Sequence, residues 1–449
     1  MPKTALLTVL LACAALPAQV LTLPMALGKA ASASVQADLA GQARAAAGSD
    51  RDEVRASYLP DIQLQGGHLS LDREVALRTG SYTLGIPGLG SLAIPSMEQP
   101  LAANASWRYQ LSASYLVFDF GKRGSALAAS RAKEAAVDLR GKDEVSRAQA
   151  EVAARYVALV NLMARRKVVD QRRQALRDHL RDARALYEQG VVARNDLLRT
   201  EVAQRAVDDS ARALDNAMVS ARERLDIAMG LAPDTPATVP ATLPAPPELA
   251  WDEAAVRSRA PEANAGVQAL EAKVRAAGSL VDFRKRDYAP DVVAQVAHSY
   301  EENPFMVHSD QNSLYLGVTW KLFDGGARSA RVSRSRAEES SARRELLEAR
   351  RQAENAAATA FRDYRQALAE LATAKANAAA AQENLRIVTD QYQQAYAKSS
   401  DVLDAETVLA ESRFGQSDCL CRAYALQAGL LAILGEDLES FYAASSVEH

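Results

Sequence analysis

The side chains in this sequence that could do chemistry are few and poorly placed for catalysis. Five histidines, His68, His179, His298, His308 and His449, are scattered, with no pair at metal-ligand spacing. There is no Gly-x4-Gly-Lys-Ser/Thr loop to cradle a phosphate and no Gly-x-Ser-x-Gly elbow to raise a nucleophile. Cys419 and Cys421 stand two apart in a helical pattern, which points them to opposite sides of the helix as small packing residues. No catalytic residue, metal or cofactor is called for. What remains is charge. Asp401-Val402-Leu403-Asp404 sets two carboxylates one helical turn apart, just behind Ser399 and Ser400. Ser, Asn and Asp are natural N-caps, and an acid there answers the positive end of the helix dipole.

The composition narrows what these charges can meet. Of 449 residues, 53 are basic and 56 acidic, a net charge of -3, which argues against nucleic acid as a partner. The N-terminus differs from the rest. Met1-Pro2-Lys3 is short and positive, Ala5 to Ala15 is apolar, and Leu16-Pro17-Ala18 offers a small-residue cleavage site. Residues 1–18 are therefore expected to be a secretory signal. Leu10-Leu11-Ala12-Cys13 is a weak lipobox-like run, and lipidation of Cys13 stays open. Beyond this leader no apolar run reaches eighteen residues, so no transmembrane helix is expected.

The elements that position the charges are written twice. Phe118-Asp119-Phe120-Gly121-Lys122-Arg123 matches Phe323-Asp324-Gly325-Gly326-Ala327-Arg328 at an offset of 205. Tyr187 and Tyr392, Asp196 and Asp401, Leu198 and Leu403, Glu201 and Glu406, and Gly230 and Gly435 keep the same offset. Upstream, Tyr58-Leu59-Pro60-Asp61 matches Tyr288-Ala289-Pro290-Asp291 at 230, so the first copy holds 25 more residues between these landmarks. The excess falls around Arg73 to Pro100, where Gly, Pro, Ser and Thr suggest a long loop at a hairpin tip.

Each copy combines period-2 and long helical segments. Trp107, Tyr109, Leu111, Ala113, Tyr115 and Val117 alternate with Arg108, Gln110, Ser112 and Ser114, and Leu314, Leu316, Val318, Trp320 and Leu322 alternate likewise. Ser125 to Glu188 has no Pro, and apolar residues recur at three, four and seven, a run of roughly 95 Å if helical. The first repeat, 19–230, is thus read as a helix, a β-hairpin over 57–118, a long helix over 122–189 and a return helix over 196–229. A Pro/Ala-rich linker over 231–250 follows. The second repeat, 251–435, is a helix, a hairpin over 287–323, a long helix over 327–393 and a return helix over 401–434, with 436–449 as a short tail.

Four strands alone would leave unpaired backbone at both edges, which hydrocarbon does not tolerate. Closure requires further copies. Three would give twelve strands, an even number within the range of outer-membrane barrels, with the long helices continuing the wall as a helical barrel. The rival reading is a secreted periplasmic coiled-coil adaptor or scaffold without a channel. It accounts for the long helices but not for the duplicated hairpins.

Taken together, these residues resemble the TolC family of outer-membrane efflux and secretion channels. The carriers are Leu21-Thr22-Leu23 with Ala26, Tyr58 to Asp61, Phe118 to Gly121, the turn from Tyr187 to Glu201, Tyr288 to Asp291, Phe323 to Gly326, and Tyr392 to Glu406. The resemblance implies a mainly α fold with a pair of membrane β-hairpins per chain, and a homotrimer forming a twelve-stranded barrel continued by a long α-helical barrel. It implies the outer membrane of a Gram-negative bacterium, contact with outer-membrane lipid, and the helical barrel in the periplasm. The function implied is a passive exit duct of a tripartite efflux or type I secretion system. Its partners would be a periplasmic adaptor and an inner-membrane pump of the RND, ABC or MFS type. Asp401 and Asp404 would ring the periplasmic entrance, with Asp196, Tyr392 and Lys398 as candidate links that hold it shut. Here the chain departs from the family pattern: Ala397 stands where a basic residue is found, with Lys398 one step later, and Ala395 where Gly is common. The exported substrate stays open.

Overall fold

A computed structural model of the chain describes residues 20–190, 193–233, 238–394 and 396–447. The expected signal over 1–18, with Cys13, lies outside the described residues, as do Ala395, His449 and part of the linker, 234–237. In chain order the first copy comprises α1 (Leu23–Ala33), α2 (Val35–Ala56), β1 (Asp61–Ser70), β2 (Val75–Thr79), β3 (Tyr82–Ile86), β4 (Gly90–Ile94), β5 (Met97–Ala102), β6 (Ala105–Phe118), α3 (Lys122–Glu188) and α4 (Arg194–Ala228). The second comprises α5 (Glu253–Ala263), α6 (Ala265–Arg286), β7 (Asp291–Glu301), β8 (Asp310–Thr319), α7 (Ala327–Gln393) and α8 (Ser399–Ile433), and α9 (Leu438–Val447) ends the chain. Equivalent helices match in length: 11 residues for α1 and α5, 22 for α2 and α6, 67 for α3 and α7, 35 for α4 and α8.

The structure corrects several boundaries. Each repeat opens with two helices rather than one, because an N-cap side chain breaks the run. Ser34 Oγ accepts from the Ala37 N–H at 3.2 Å, and Asn264 Oδ1 accepts from the Val267 N–H at 3.0 Å, at equivalent positions. The stretch around Arg73 to Pro100 is no loop but two ladders, β2 with β5 and β3 with β4. The second hairpin's last strand stops at Thr319, short of Phe323. The return helices begin at Arg194 and Ser399, two residues early, so Asp196 and Asp401 lie inside the first turn. The expected tail contains α9, held because Leu438 and Tyr442 are buried in the core.

The chain forms two units. One comprises residues up to Ala45, Ala136–Glu271 and Glu345 onward. Its core joins Ala26, Leu27 and Ala30 of α1, Val152, Tyr156 and Val160 of α3, Leu225 of α4, and Tyr424 and Leu431 of α8. The described part of the linker from residue 238 onward packs against this core through Val239, Leu243 and Leu249. Proline offers carbonyls but no N–H, so donors hold it. Tyr364 and Gln427 donate to the Pro247 carbonyl at 3.2 and 2.6 Å, and the Tyr424 hydroxyl donates to the Pro244 carbonyl at 3.4 Å.

The repeated landmarks Gly230 and Gly435 end α4 and α8 with positive φ, +73° and +65°. The next N–H closes each turn, Leu231 to the Asp226 carbonyl at 2.8 Å and Glu436 to the Leu431 carbonyl at 3.0 Å. Each glycine also abuts the end of its copy's first helix. A Cβ would stand 1.8 Å from the Ala33 carbonyl oxygen at Gly230 and 2.4 Å from that of Ala263 at Gly435.

The second unit, Ala46–Ala135 with Ala272–Arg344, holds, besides the β2–β5 and β3–β4 ladders, a four-stranded antiparallel sheet in the order β1-β6-β7-β8. Its register places Ile62, Leu64, Leu111, Ala113, Tyr115, Ala294, Val296, Leu314, Leu316 and Val318 on a single face, whose polar members His298 and Asn312 bond to each other at 2.9 Å. Gln63, Gln65, Gln110, Ser112, Ser114, Gln295, Ser299, Gln311 and Ser313 share the other. The apolar face is exposed, Leu314 to 78% and Leu64 to 73%, which is abnormal for a protein surface in water. β1 and β8 are open edges.

Aromatic side chains bound this face. Trp107, Tyr109 and Tyr300 cluster toward the hairpin tips, with ring centroids 6.2 and 6.3 Å apart. Tyr58, Phe118, Phe120, Tyr288 and Trp320 stand where strands meet helices. From Trp107 to Phe118 the strand rises about 36 Å, which at a tilt of about 45° is about 26 Å of height. That matches the roughly 25 Å apolar band of an outer-membrane barrel.

The strand-to-helix junction explains the other duplicated motif. Asp119 accepts from the backbone and Nε of Arg123 at 2.8 and 3.0 Å, and that guanidinium stacks 4.7 Å from the Tyr58 ring. Asp324 holds Arg328 in the same way at 3.0 and 3.2 Å, with Tyr288 at 4.8 Å. Each Asp caps its long helix, and each Arg fastens that helix to the chain entering the sheet.

Candidate functional site

The two interhelical turns, α3 to α4 and α7 to α8, gather the expected residues. Asp401 caps α8: its Oδ2 accepts from the Lys398 N–H at 3.0 Å, and Ser400 Oγ lies 3.3 Å from Oδ1. Lys398 thus engages Asp401 through its backbone rather than its ammonium group. Asp404 lies one turn on. Asp401, Asp404, Val408 and Glu411 form one exposed stripe along α8, while Val402, Ala405, Leu409 and Ala410 face inward. Asp401 therefore serves its helix terminus and still presents a carboxylate to solvent beside that of Asp404.

Tyr392 and Asp196 come together in a second group at these turns. Tyr392 is 4% exposed, and its ring packs 4.8 Å from His179 of α3. Its hydroxyl is buried without a well-formed hydrogen bond among the described residues. Burial, then the carboxylates of Asp196 and Asp182, push its pKa up. His179 Nε2 lies 2.9 Å from Ser399 Oγ, which lies 3.4 Å from Thr200 Oγ1, and Thr200 donates to the Asp196 carbonyl at 3.0 Å. Burial holds the His179 pKa below its ordinary value, against the pull of Asp182. One small polar cluster thus ties α3, α4, α7 and α8 together at the turns.

His179, Ser399 and Thr200 were not singled out from sequence. The signal was present for His179, which sits three residues past Leu176 on the inward stripe of α3, where an apolar residue is expected. Ser399 was read only as a helix start, and nothing in the sequence marked Thr200. Glu406, marked in the sequence only as a landmark of the repeat, is 8% exposed, and burial pushes its carboxyl pKa up while Arg172 and Arg413 oppose it. Around it Arg172 donates to Thr407 at 2.7 Å and Arg413 to Gln171 at 2.6 Å, fastening α8 to α3. Farther along, Arg165 pairs with Asp418 at 2.6 Å. No helix among the described residues is long and apolar enough to cross a membrane.

Comparison with known proteins fits this arrangement. The family model described as outer membrane efflux protein matches residues 28–231 and 256–436, that is, both repeats. The fold is similar to that of the outer membrane protein VceC from Vibrio cholerae, with a TM-score of 0.71 at 19% identity over 92% of this chain and 96% of that one. It is also similar to the CmeC outer membrane channel of Campylobacter jejuni (TM-score 0.74, 12% identity, 94% and 88% covered). The MtrE outer membrane channel of Neisseria gonorrhoeae is a third such structure (0.71, 17%, 93% and 89%). No curated protein matches. The scaffold reading is not supported, since it has no use for an exposed apolar sheet face. The chain is an outer-membrane channel protein for efflux, and it belongs to the outer membrane efflux protein family.

Proposed function

We propose that three copies close into a twelve-stranded barrel, apolar face outward against lipid and polar face lining the bore. The observation that carries this is the shared apolar face of four strands between two aromatic belts, with both edges unpaired. Lipid satisfies the face, and pairing β1 of one copy with β8 of the next satisfies the edges. The hairpin tips then lie outside the cell and the long helices in the periplasm. The duct serves a tripartite efflux or type I secretion system in a Gram-negative bacterium, with a periplasmic adaptor and an inner-membrane pump of the RND, ABC or MFS type as partners. It carries no energy source of its own.

At the periplasmic end, Asp401 and Asp404 of three copies gather six carboxylates around the entrance. Such a ring draws cations, and its self-repulsion falls when the aperture widens. The cluster of Tyr392, Asp196, His179, Ser399 and Thr200 holds the turns in the narrow arrangement, and Lys398 is the base we assign to link neighbouring helix pairs. Detergent-solubilised protein should have the native mass of a trimer and open ion-conducting pores in planar bilayers. A monomer, or no conductance, overturns the duct. Asp401→Ala with Asp404→Ala should weaken block by divalent cations at least about tenfold. Unchanged block overturns the ring.

A further inference from the structure

The 25-residue excess of the first hairpin is a built element with a face of its own. β2 and β5 follow on from β1 and β6, and β3 with β4 adds five further residue pairs. The tip turns tightly: Pro87 fixes its φ, Gly88 takes +88°, and the Leu89 N–H donates to the Ile86 carbonyl at 3.1 Å. Pairing sets Tyr82, Leu84, Ile86, Leu92 and Ile94 on one face and Thr83, Gly85, Ser91 and Ala93 on the other. Tyr82 and Leu92 are 58% and 56% exposed and Leu84 and Ile86 are exposed with them, so among the described residues most of the apolar face is uncovered.

Two features identify what does. From Thr79 to Met97 there is no Asp, Glu, Lys or Arg, and the flanking Arg78 and Glu98 neutralise each other across the β2–β5 ladder. A phosphate- or sugar-rich surface is recognised by charges and several donors, and this face offers no charge and, as a side-chain donor, the Tyr82 hydroxyl alone. Where the same residues of every copy converge on a symmetry axis each brings the same sign, so an uncharged patch avoids the repulsion. The second feature is position. The outgrowth begins beyond the belt at Trp107, away from hydrocarbon, and it springs from β1, the open edge through which copies join. In a twelve-stranded barrel the wall lies about 12 Å from the axis, and five residues of strand span about 17 Å, enough to reach it.

We infer that the β3–β4 hairpins of the three copies lean over the exit and bury their apolar faces against one another, forming a lid whose partner is this same chain. The inference rests on the trimeric barrel proposed above. It is tested in outer membranes carrying the full-length protein with Leu84→Cys, or with Thr83→Cys on the opposite face, treated with a short bis-maleimide. Wild type reports the background from Cys419 and Cys421. Leu84→Cys should cross-link copies to each other and Thr83→Cys should not. In bilayers, Leu84→Ser with Leu92→Ser should raise the open fraction at least about twofold, as expected when an apolar constriction becomes wettable. A native-mass trimer with no Leu84→Cys cross-link, with labelling of that cysteine from the lipid phase, or with an unchanged open fraction overturns the lid and leaves the duct standing. Loss of the trimer itself removes the duct, and the lid with it.

Discussion

At the scale of single residues, Asp401 serves two purposes that substitution can separate. Its carboxylate accepts the Lys398 N–H and also lies on the exposed stripe with Asp404. Asn keeps an accepting oxygen and removes the charge. Asp401→Asn should therefore leave the thermal midpoint nearly unchanged while weakening cation block, whereas Asp401→Ala should lose about 1 kcal/mol of stability as well. Melting curves beside single-channel records distinguish the two, and equal destabilisation by both variants would remove the capping role. His179 gives a second prediction. Burial depresses its folded-state pKa below that of the unfolded chain, so the unfolded state takes up the proton first as pH falls. Its contribution is complete above about pH 6.5 and is lost on acidification toward the depressed value. His179→Asn cannot titrate there. The drop in melting temperature between pH 7.5 and 5 should be smaller in the variant than in wild type. The acid pair was legible in the sequence because its spacing is local. The cluster around His179 was not, because it joins four helices whose pairing no local pattern specifies.

At the scale of elements, the duplication was legible to the residue, and its physical causes are now visible. Phe-Asp with the following Arg is a helix cap plus a clamp onto Tyr58 or Tyr288, and the closing glycine is a tight turn against another helix end. Gly435→Ala would force a Cβ onto the Ala263 carbonyl at positive φ, and should destabilise by at least about 2 kcal/mol. Thermal unfolding checks it, with Gly415→Ala, which meets nothing within 4 Å, as the control that should be neutral or better. The outgrowth over 73–100 reads as a loop by composition because Gly, Pro, Ser and Thr are frequent in it. Tyr82, Leu84 and Ile86 already alternate, and Pro87-Gly88 is a turn signal, so counting residue types concealed a strand pattern that position reveals. Similarly, α9 is short and lies past the repeat, and its helical state depends on burying Leu438 and Tyr442, a tertiary effect.

At the scale of the whole molecule, barrel closure makes opposite demands on neighbouring residues of one strand. Val296 and Gln295 are adjacent in β7, yet Val296 shares the apolar face with Ala113 and Leu314, and Gln295 the polar face with Ser114 and Tyr315. If the first face meets lipid, an arginine there at mid-height is expensive, about 2–4 kcal/mol per copy and so about 6–12 kcal/mol in a trimer. Val296→Arg should therefore nearly abolish trimers in the outer membrane. Gln295→Arg adds the same charge one residue away but places it in a water-filled bore, where it costs little and repels cations. That variant should assemble in normal yield and shift the reversal potential toward anion selectivity. A soluble sheet packed against some other protein would share the difference in yield but not the change in selectivity, because neither site would line an ion path. Equal yields from the two variants, or a Gln295→Arg pore with unchanged selectivity, would show that the two faces are not separated by a membrane wall.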